Sequence, residues 1–194
     1  MRSSLAISAA ATVVAVLSLS MTLLPPVAFA HGTQVVPYHV AALEVRGELP
    51  PPPAGVTSIK FGEFFRMPVG PLGLEPSDKL MSLNGHRVRL VGYVVREDDP
   101  VPGRFLLSPL PVTVGDEDES LSDDLPPSTV FVHLQGVKER NVPYIAGLVK
   151  LTGVLEVGAK EEGGGRVSSV RLVLDPRTSK QILGAKPMLR ASAK

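Results

Sequence analysis

Five short apolar segments between residues 86 and 174 constrain this chain most, because their length and composition are those of β-strands. In the first, Val88 and Leu90 alternate with Arg87 and Arg89. A period of two residues predicts a strand with one buried face. The segments span residues 86–94, 104–110, 129–134, 149–157 and 170–174, and Arg171 of the last is expected to face outwards. With 19 prolines and 18 glycines punctuating the chain, short strands and turns are favoured over long helices.

The order of these segments predicts a mainly β fold. Residues 136–146, between the third and fourth segments, are long enough for one or two helical turns. Three strands, a short helical turn and two strands suit a five-stranded, OB-fold-like Greek-key barrel with a proline-rich N-terminal extension. Gly92 is expected to permit a bulge in the long first strand. An open β-sandwich is the alternative, although five strands are few for one.

The N-terminus has the pattern of a secretory signal peptide. Arg2 provides the positive start, residues 5–24 carry no charge, and Ala28-Phe29-Ala30 is an A-x-A cleavage site. We therefore expect a periplasmic or secreted protein, cleaved after Ala30, with no membrane span afterwards. The alternative is an uncleaved anchor, because the apolar stretch approaches the roughly 20 residues that a spanning helix needs.

Charge and composition exclude several classes of function. The chain has 20 basic and 19 acidic residues, which gives no excess of positive charge for binding nucleic acid. It has no cysteine, which excludes disulfides, thiolate metal sites, a cysteine nucleophile and a lipoprotein anchor. The sequence contains no nucleophile-elbow motif, no zinc-protease motif and no Walker loop. We therefore expect no enzyme and no cofactor.

Composition divides the chain into five parts. Residues 1–30 are the signal peptide, 31–58 a proline-rich leader, 59–79 an aromatic helical turn with its loop, 80–175 the barrel, and 176–194 a basic tail. The leader and the tail are expected to be mostly mobile. Phe61, Phe64 and Phe65 share one helical face. This face is expected to plug one end of the core, and the alternative is a docking patch for a partner.

Three short motifs stand out, namely LNGHRVRLVGYVV at 83–95, FLLSP at 105–109 and LPP at 125–127. They resemble the pattern L-G-x-x-V-x-x-x-G-Y, F-L-L-x-P and a proline-rich turn of a family of short exported bacterial proteins of unknown function. The resemblance covers residues 80–174 and implies an OB-like barrel. Members of that family often carry Cys and His in the loop before the prolines. This chain has the acidic run 115–119 there, so no metal or redox role carries over.

The ligand-binding face of an OB-fold lies across its second and third strands. In this chain that face would offer Phe131, His133 and Thr129, together with Arg104. One aromatic ring and one imidazole can stack and form hydrogen bonds, but they do not make a stacking platform for nucleic acid. The alternative is that His133 beside Phe131 serves packing alone.

Two groups of residues are candidates for binding a metal ion. Six acidic residues fall between 116 and 124, and Asp116, Asp118, Asp123 and Asp124 could supply oxygen ligands to Ca²⁺. The spacing fails the EF-hand pattern, so a solvated charge run is the alternative. After cleavage, the amine and imidazole of His31 would form a chelate for Cu²⁺.

The sequence therefore favours an exported, non-enzymatic binding or accessory protein of the bacterial cell envelope. Its expected partner is an envelope protein or a small ligand, and its expected setting is a transport or assembly system. The alternative is a periplasmic metal-binding protein that uses the acidic loop or His31.

Overall fold

The computed structural model describes residues 37–114, 125–137, 139–163 and 165–187. The strands are β1 (Tyr38–His39), β2 (Thr57–Ser58), β3 (Arg87–Val94), β4 (Arg96–Glu97), β5 (Arg104–Ser108), β6 (Thr113–Val114), β7 (Val130–Leu134), β8 (Leu148–Glu161), β9 (Val167–Leu174) and β10 (Lys186–Pro187). The helices are α1 (Asp78–Ser82) and α2 (Pro176–Leu183), and a 3-10 turn spans Phe61–Glu63. The mainly β class is confirmed. Within the described ranges, no helix has the length and apolar composition that crossing a membrane requires.

The largest sheet has the strand order β2-β3-β5-β7-β9-β8. Strand β3 also pairs antiparallel with β8, from Arg87 opposite Val154 to Tyr93 opposite Leu148. Pairing among the five long strands therefore returns to the strand from which it starts. Strands β7 and β9 run parallel, while the other neighbours among these five run antiparallel.

The core lies between these strands and is closed by the segment that precedes β3. Phe61 and Phe64 are buried with their ring centroids 5.4 Å apart, and Leu80 of α1 belongs to the same apolar cluster. Ser77 caps α1, because its hydroxyl accepts a hydrogen bond from the Leu80 amide at 3.0 Å. The aromatic turn thus packs into the core, and Phe65 stays half-buried at its edge.

Gly92 does not form the bulge that we predicted; instead it allows Ser108 and Phe61 to pack closely against β3. Pairing of β3 with β8 runs through Gly92 without a shift in register. A Cβ atom on Gly92 would lie 2.7 Å from the carbonyl oxygen of Ser108 and 2.8 Å from the ring of Phe61. The irregularity in this sheet lies instead in β8, between Val157 and Lys160.

The described parts of the leader and the tail belong to the fold, which corrects the prediction of mobile ends. In the leader, the Tyr38 amide donates to the Tyr144 carbonyl at 2.7 Å, and Leu43 is buried. In the tail, α2 begins at a cap in which the Asp175 carboxylate accepts from the Thr178 amide, and it buries Ile182 completely. Strand β1 of the leader pairs with β10 of the tail. The ends are held because each supplies apolar side chains to the core.

The connection between β7 and β8 differs from the short helical turn that we predicted over 136–146. Its described residues form no helix. Pro143 lacks an amide hydrogen and disfavours helical geometry at the preceding residue. Val142 and Ile145 are instead buried individually in the core.

Candidate ligand-binding site

Strands β5 and β7 bring the predicted ligand-binding residues together. Arg104 lies opposite His133 in the pairing of these strands, and Phe131 is two residues away from His133 on β7. The Arg104 guanidinium carbon stands 5.1 Å from the centroid of the Phe131 ring, within range of a cation–π interaction. Thr129, just before β7, is also buried. The sequence thus predicted a set of residues that lie on neighbouring strands.

Arg104 is buried, with 4% of its surface exposed, and its charge is only partly compensated. Its Nη1 atom lies 3.6 Å from Oε1 of Glu97, and its Nη2 atom donates to the Gly163 carbonyl at 2.9 Å. Its Nε and Nη1 atoms have no hydrogen-bond acceptor within the described part of the chain. Burial raises the pKa of Glu97 and lowers the pKa of Arg104, because desolvation disfavours both charges more than their mutual attraction favours them.

A chain of polar side chains continues from His133 across β9 to β8. His133 Nε2 lies 3.2 Å from the Glu162 carboxylate, which also accepts from the Ser168 hydroxyl at 2.6 Å. Arg171 donates to Ser168 at 2.9 Å and to the Glu156 carboxylate at 3.0 Å. Arg171 was predicted to face outwards, but these partners cover it, and it is 6% exposed.

The carboxylate of Glu162 is stabilised in its charged form. Its burial opposes ionisation, but the Ser168 hydroxyl and His133 outweigh that effect and hold the pKa of Glu162 below its ordinary value. The sequence does not reveal Glu162 and Ser168 as partners of His133, because no local pattern links these positions. The parallel pairing of β7 with β9, in which His133 lies opposite Val173, brings these strands together.

Replacing Glu162 by glutamine is expected to lower the free energy of unfolding at pH 7 by about 2 kcal/mol, because a charged acceptor of two hydrogen bonds is lost. The carboxylate stabilises the fold above the ordinary glutamate pKa of 4.5, and this contribution disappears as the pH falls through the lower folded-state pKa. Urea titrations should therefore show that the difference in the free energy of unfolding between the parent and Glu162→Gln is smaller below pH 4 than at pH 7. The exposed neighbour Glu161 provides the control, Glu161→Gln, which should change little at either pH. An equal loss at both pH values would contradict a role for the charge.

The outer face of β5 and β7 is covered by the chain itself. Phe131 packs with Val95, Leu106 and Val114 in a second apolar cluster, against which Leu125 also lies. Leu106 is buried in this cluster, Phe105 and Leu107 are buried in the main core, and all five residues of β5 are buried. The face that the sequence predicted to be open is therefore covered, and space for a ligand remains in the cavities described next.

Two cavities flank the covered face. One, of about 420 Å³, lies on the Arg104 side. Its lining combines aromatic, aliphatic and polar side chains, namely Tyr38, Val94, Val95, Glu97, Asp98, Pro100, Arg104, Phe105, Asn141, Val142, Pro143 and Tyr144. The other, of about 350 Å³, includes Thr129, Phe131 and Arg166 in its lining. The predicted residues thus contribute to both cavities, except His133, which faces Glu162.

An apolar surface lies beside the aromatic turn. Its groove of about 430 Å³ is lined by Phe61, Phe65, Met67, Leu74 and four further residues. Leu72, in the same loop, is 85% exposed. The groove includes only Phe61 and Phe65 of the three aromatic residues, since Phe64 is fully buried.

The candidate metal ligands His31, Asp116, Asp118, Asp123 and Asp124 lie outside the described residues. Within the described ranges, no group of three or more histidine or acidic side chains is placed to hold a metal ion.

A scan against protein-family models finds no match, and a search of curated proteins finds none. Among solved structures, the chain is similar to a DUF3299 family protein from Pseudomonas aeruginosa PAO1, with 12% sequence identity and a TM-score of 0.39. The alignment covers 70% of this chain and 97% of that chain.

Proposed function

We propose that the chain is an exported, non-enzymatic binding protein of the bacterial cell envelope, which holds a small ligand in the cavity beside Arg104. The observation that carries the proposal is the lining of that cavity. Tyr38 and Tyr144, which are both half-buried, offer aromatic surface, while Arg104 and Asn141 offer hydrogen-bond donors. Small-molecule sites in proteins typically combine an apolar lining with a few polar groups, in volumes of about 300–1,000 Å³.

The strand pairing supports an OB-type barrel as the scaffold for this site. In the order β3, β5, β7, β9, β8 and back to β3, each strand pairs with the next, and only β7 and β9 are parallel. OB-folds bind ligands on their second and third strands, between the loops that follow the first and fourth strands. The corresponding strands are β5, which begins at Arg104, and β7. Glu97 and Asp98, which precede β5, line the cavity.

The proposal is tested by screening a library of small aromatic acids and amides with ligand-observed NMR. Ligands should bind the parent protein and be lost in the variant Asn141→Trp, because Asn141 is an exposed residue of the cavity lining and an indole there would fill the mouth. The matched control is Gln135→Trp, which changes another exposed residue that lies outside the lining. Binding that survives Asn141→Trp, or no binding by the parent, would contradict the proposal.

Export is supported by the A-x-A motif at 28–30 and is tested separately. We expect protein isolated from the cell envelope to have the mass of a chain that begins at His31. A mass that retains residues 1–30 would contradict cleavage.

A further inference from the structure

A further cavity, distinct from the three described above, has a basic lining. It has a volume of about 390 Å³ and lies where β3, β8 and α2 meet the proline run at 50–53. Its polar side chains are Arg89, Lys150, Thr152, Arg177, Thr178 and Gln181, together with Asp175. We propose that this cavity binds an anionic group of the phosphate or carboxylate class.

The positive charge of the cavity is not compensated by its own acid. Within the described part of the chain, neither Lys150 nor Arg177 forms an ion pair with an acidic side chain. Asp175 is the one acidic residue in the lining, and its carboxylate is already engaged. It accepts from the Thr178 amide at 2.8 Å and lies 3.6 Å from Arg87. Three cations therefore share a cavity whose carboxylate has other partners.

Arg89 is held in place by two hydrogen bonds, and within the described part of the chain its Nη2 atom has no hydrogen-bond acceptor. Its Nε atom donates to the Ser58 hydroxyl at 3.0 Å, and its Nη1 atom donates to the Pro50 carbonyl at 2.6 Å. Two neutral acceptors orient the group without cancelling its charge. A preorganised donor loses less entropy on binding than a freely rotating one.

The sheet register brings Arg89 and Lys150 to the same place. Arg89 lies opposite Thr152, and Lys150 is two residues from Thr152 on β8. Such diagonal neighbours are about 7–8 Å apart, within reach of long side chains that converge on one ligand. Helix α2 adds Arg177 and Thr178 from its first turn.

The chemistry of the lining selects the ligand class. Guanidinium and ammonium groups only donate hydrogen bonds, and the Thr152 hydroxyl and the Gln181 amide can donate as well. A ligand that matches this set must accept several hydrogen bonds and carry negative charge. Phosphate and carboxylate oxygens satisfy both requirements, and arginine pairs with both groups.

The test is a titration of the protein from His31 to Lys194 with inorganic phosphate, pyrophosphate and citrate at constant ionic strength, followed by amide NMR shifts. We expect saturable shifts in residues 150–152 and 177–181, and the more tightly bound of pyrophosphate and citrate identifies the preferred class. The double variant Lys150→Gln/Arg177→Gln should weaken binding at least tenfold. The charge-matched control Lys180→Gln/Arg140→Gln, which removes two positive charges from exposed residues outside the lining, should bind as the parent does.

Two results would overturn the proposal. One is the absence of saturable shifts in the parent with all three anions. The other is equal weakening by the control Lys180→Gln/Arg140→Gln and by the double variant of the lining, because that would indicate attraction by net charge alone. If the double variant does not fold, the location of the shifts in the parent protein decides. The experiment does not involve the cavity beside Arg104, so its failure leaves the proposed function untouched.

Discussion

Replacing Gly153 by alanine is expected to lower the free energy of unfolding by about 3 kcal/mol. Gly153 lies in β8, opposite Val88 of β3 and Leu174 of β9. A Cβ atom there would stand 2.5 Å from the carbonyl oxygen of Val173 and 3.0 Å from its carbonyl carbon. These are main-chain atoms of β9, which pairs on both of its sides, so they cannot retreat without breaking strand pairing.

The control for this prediction is Gly62→Ala, because a Cβ atom on Gly62 would meet nothing within 4 Å. Alanine restricts the unfolded chain more than glycine does, which by itself stabilises a protein by about 0.4–1 kcal/mol. The two substitutions share this effect and differ in the space available. Urea titration of both variants should show a large loss for Gly153→Ala only. Similar stability of the two variants would contradict the close approach of β8 and β9.

Replacing Ile182 by alanine is expected to lower the free energy of unfolding by about 3 kcal/mol, which is typical of truncating a buried aliphatic side chain. Ile182 is fully buried and belongs to the main apolar cluster, although it lies in the segment that the sequence predicted to be a mobile tail. Its helix also places the Ser179 hydroxyl 3.2 Å from the Gln135 amide, which donates to it.

Lys180→Ala provides the control on the same helix, because Lys180 is exposed. Thermal and urea unfolding of the two variants should separate them clearly. A mobile tail would make both substitutions neutral, and that result would contradict the docking of α2.

The long strands could be predicted because their information is local. In β3 the side chains alternate between buried and more exposed from Arg87 to Val94, and the sequence alternates apolar with other residues at the same positions. Arg104 and Phe131 could be placed on one face for the same reason. The contact of His133 with Glu162 could not be predicted, because it joins residues 29 positions apart and depends on which strands pair.

Helix α2 forms although the composition of its segment predicts a solvated tail. Five basic residues and no acidic one between 176 and 194 suggested a solvated tail. Its start nevertheless carries a local signal, because Asp175 is a good cap and Pro176 suits the first helical position. One buried isoleucine on a short helix produces only a weak periodicity, so the capping residues were the more informative evidence.

The antiparallel pairing of β1 with β10 has a topological consequence. Tyr38 lies opposite Pro187, and His39 lies opposite Lys186, so the two ends of the described chain emerge side by side. A short peptide could join residues 37 and 187 into a ring without crossing the fold, and new ends could be opened at an exposed connection elsewhere. Two domains fused directly to residues 37 and 187 would therefore be neighbours, and this protein would hold them close together.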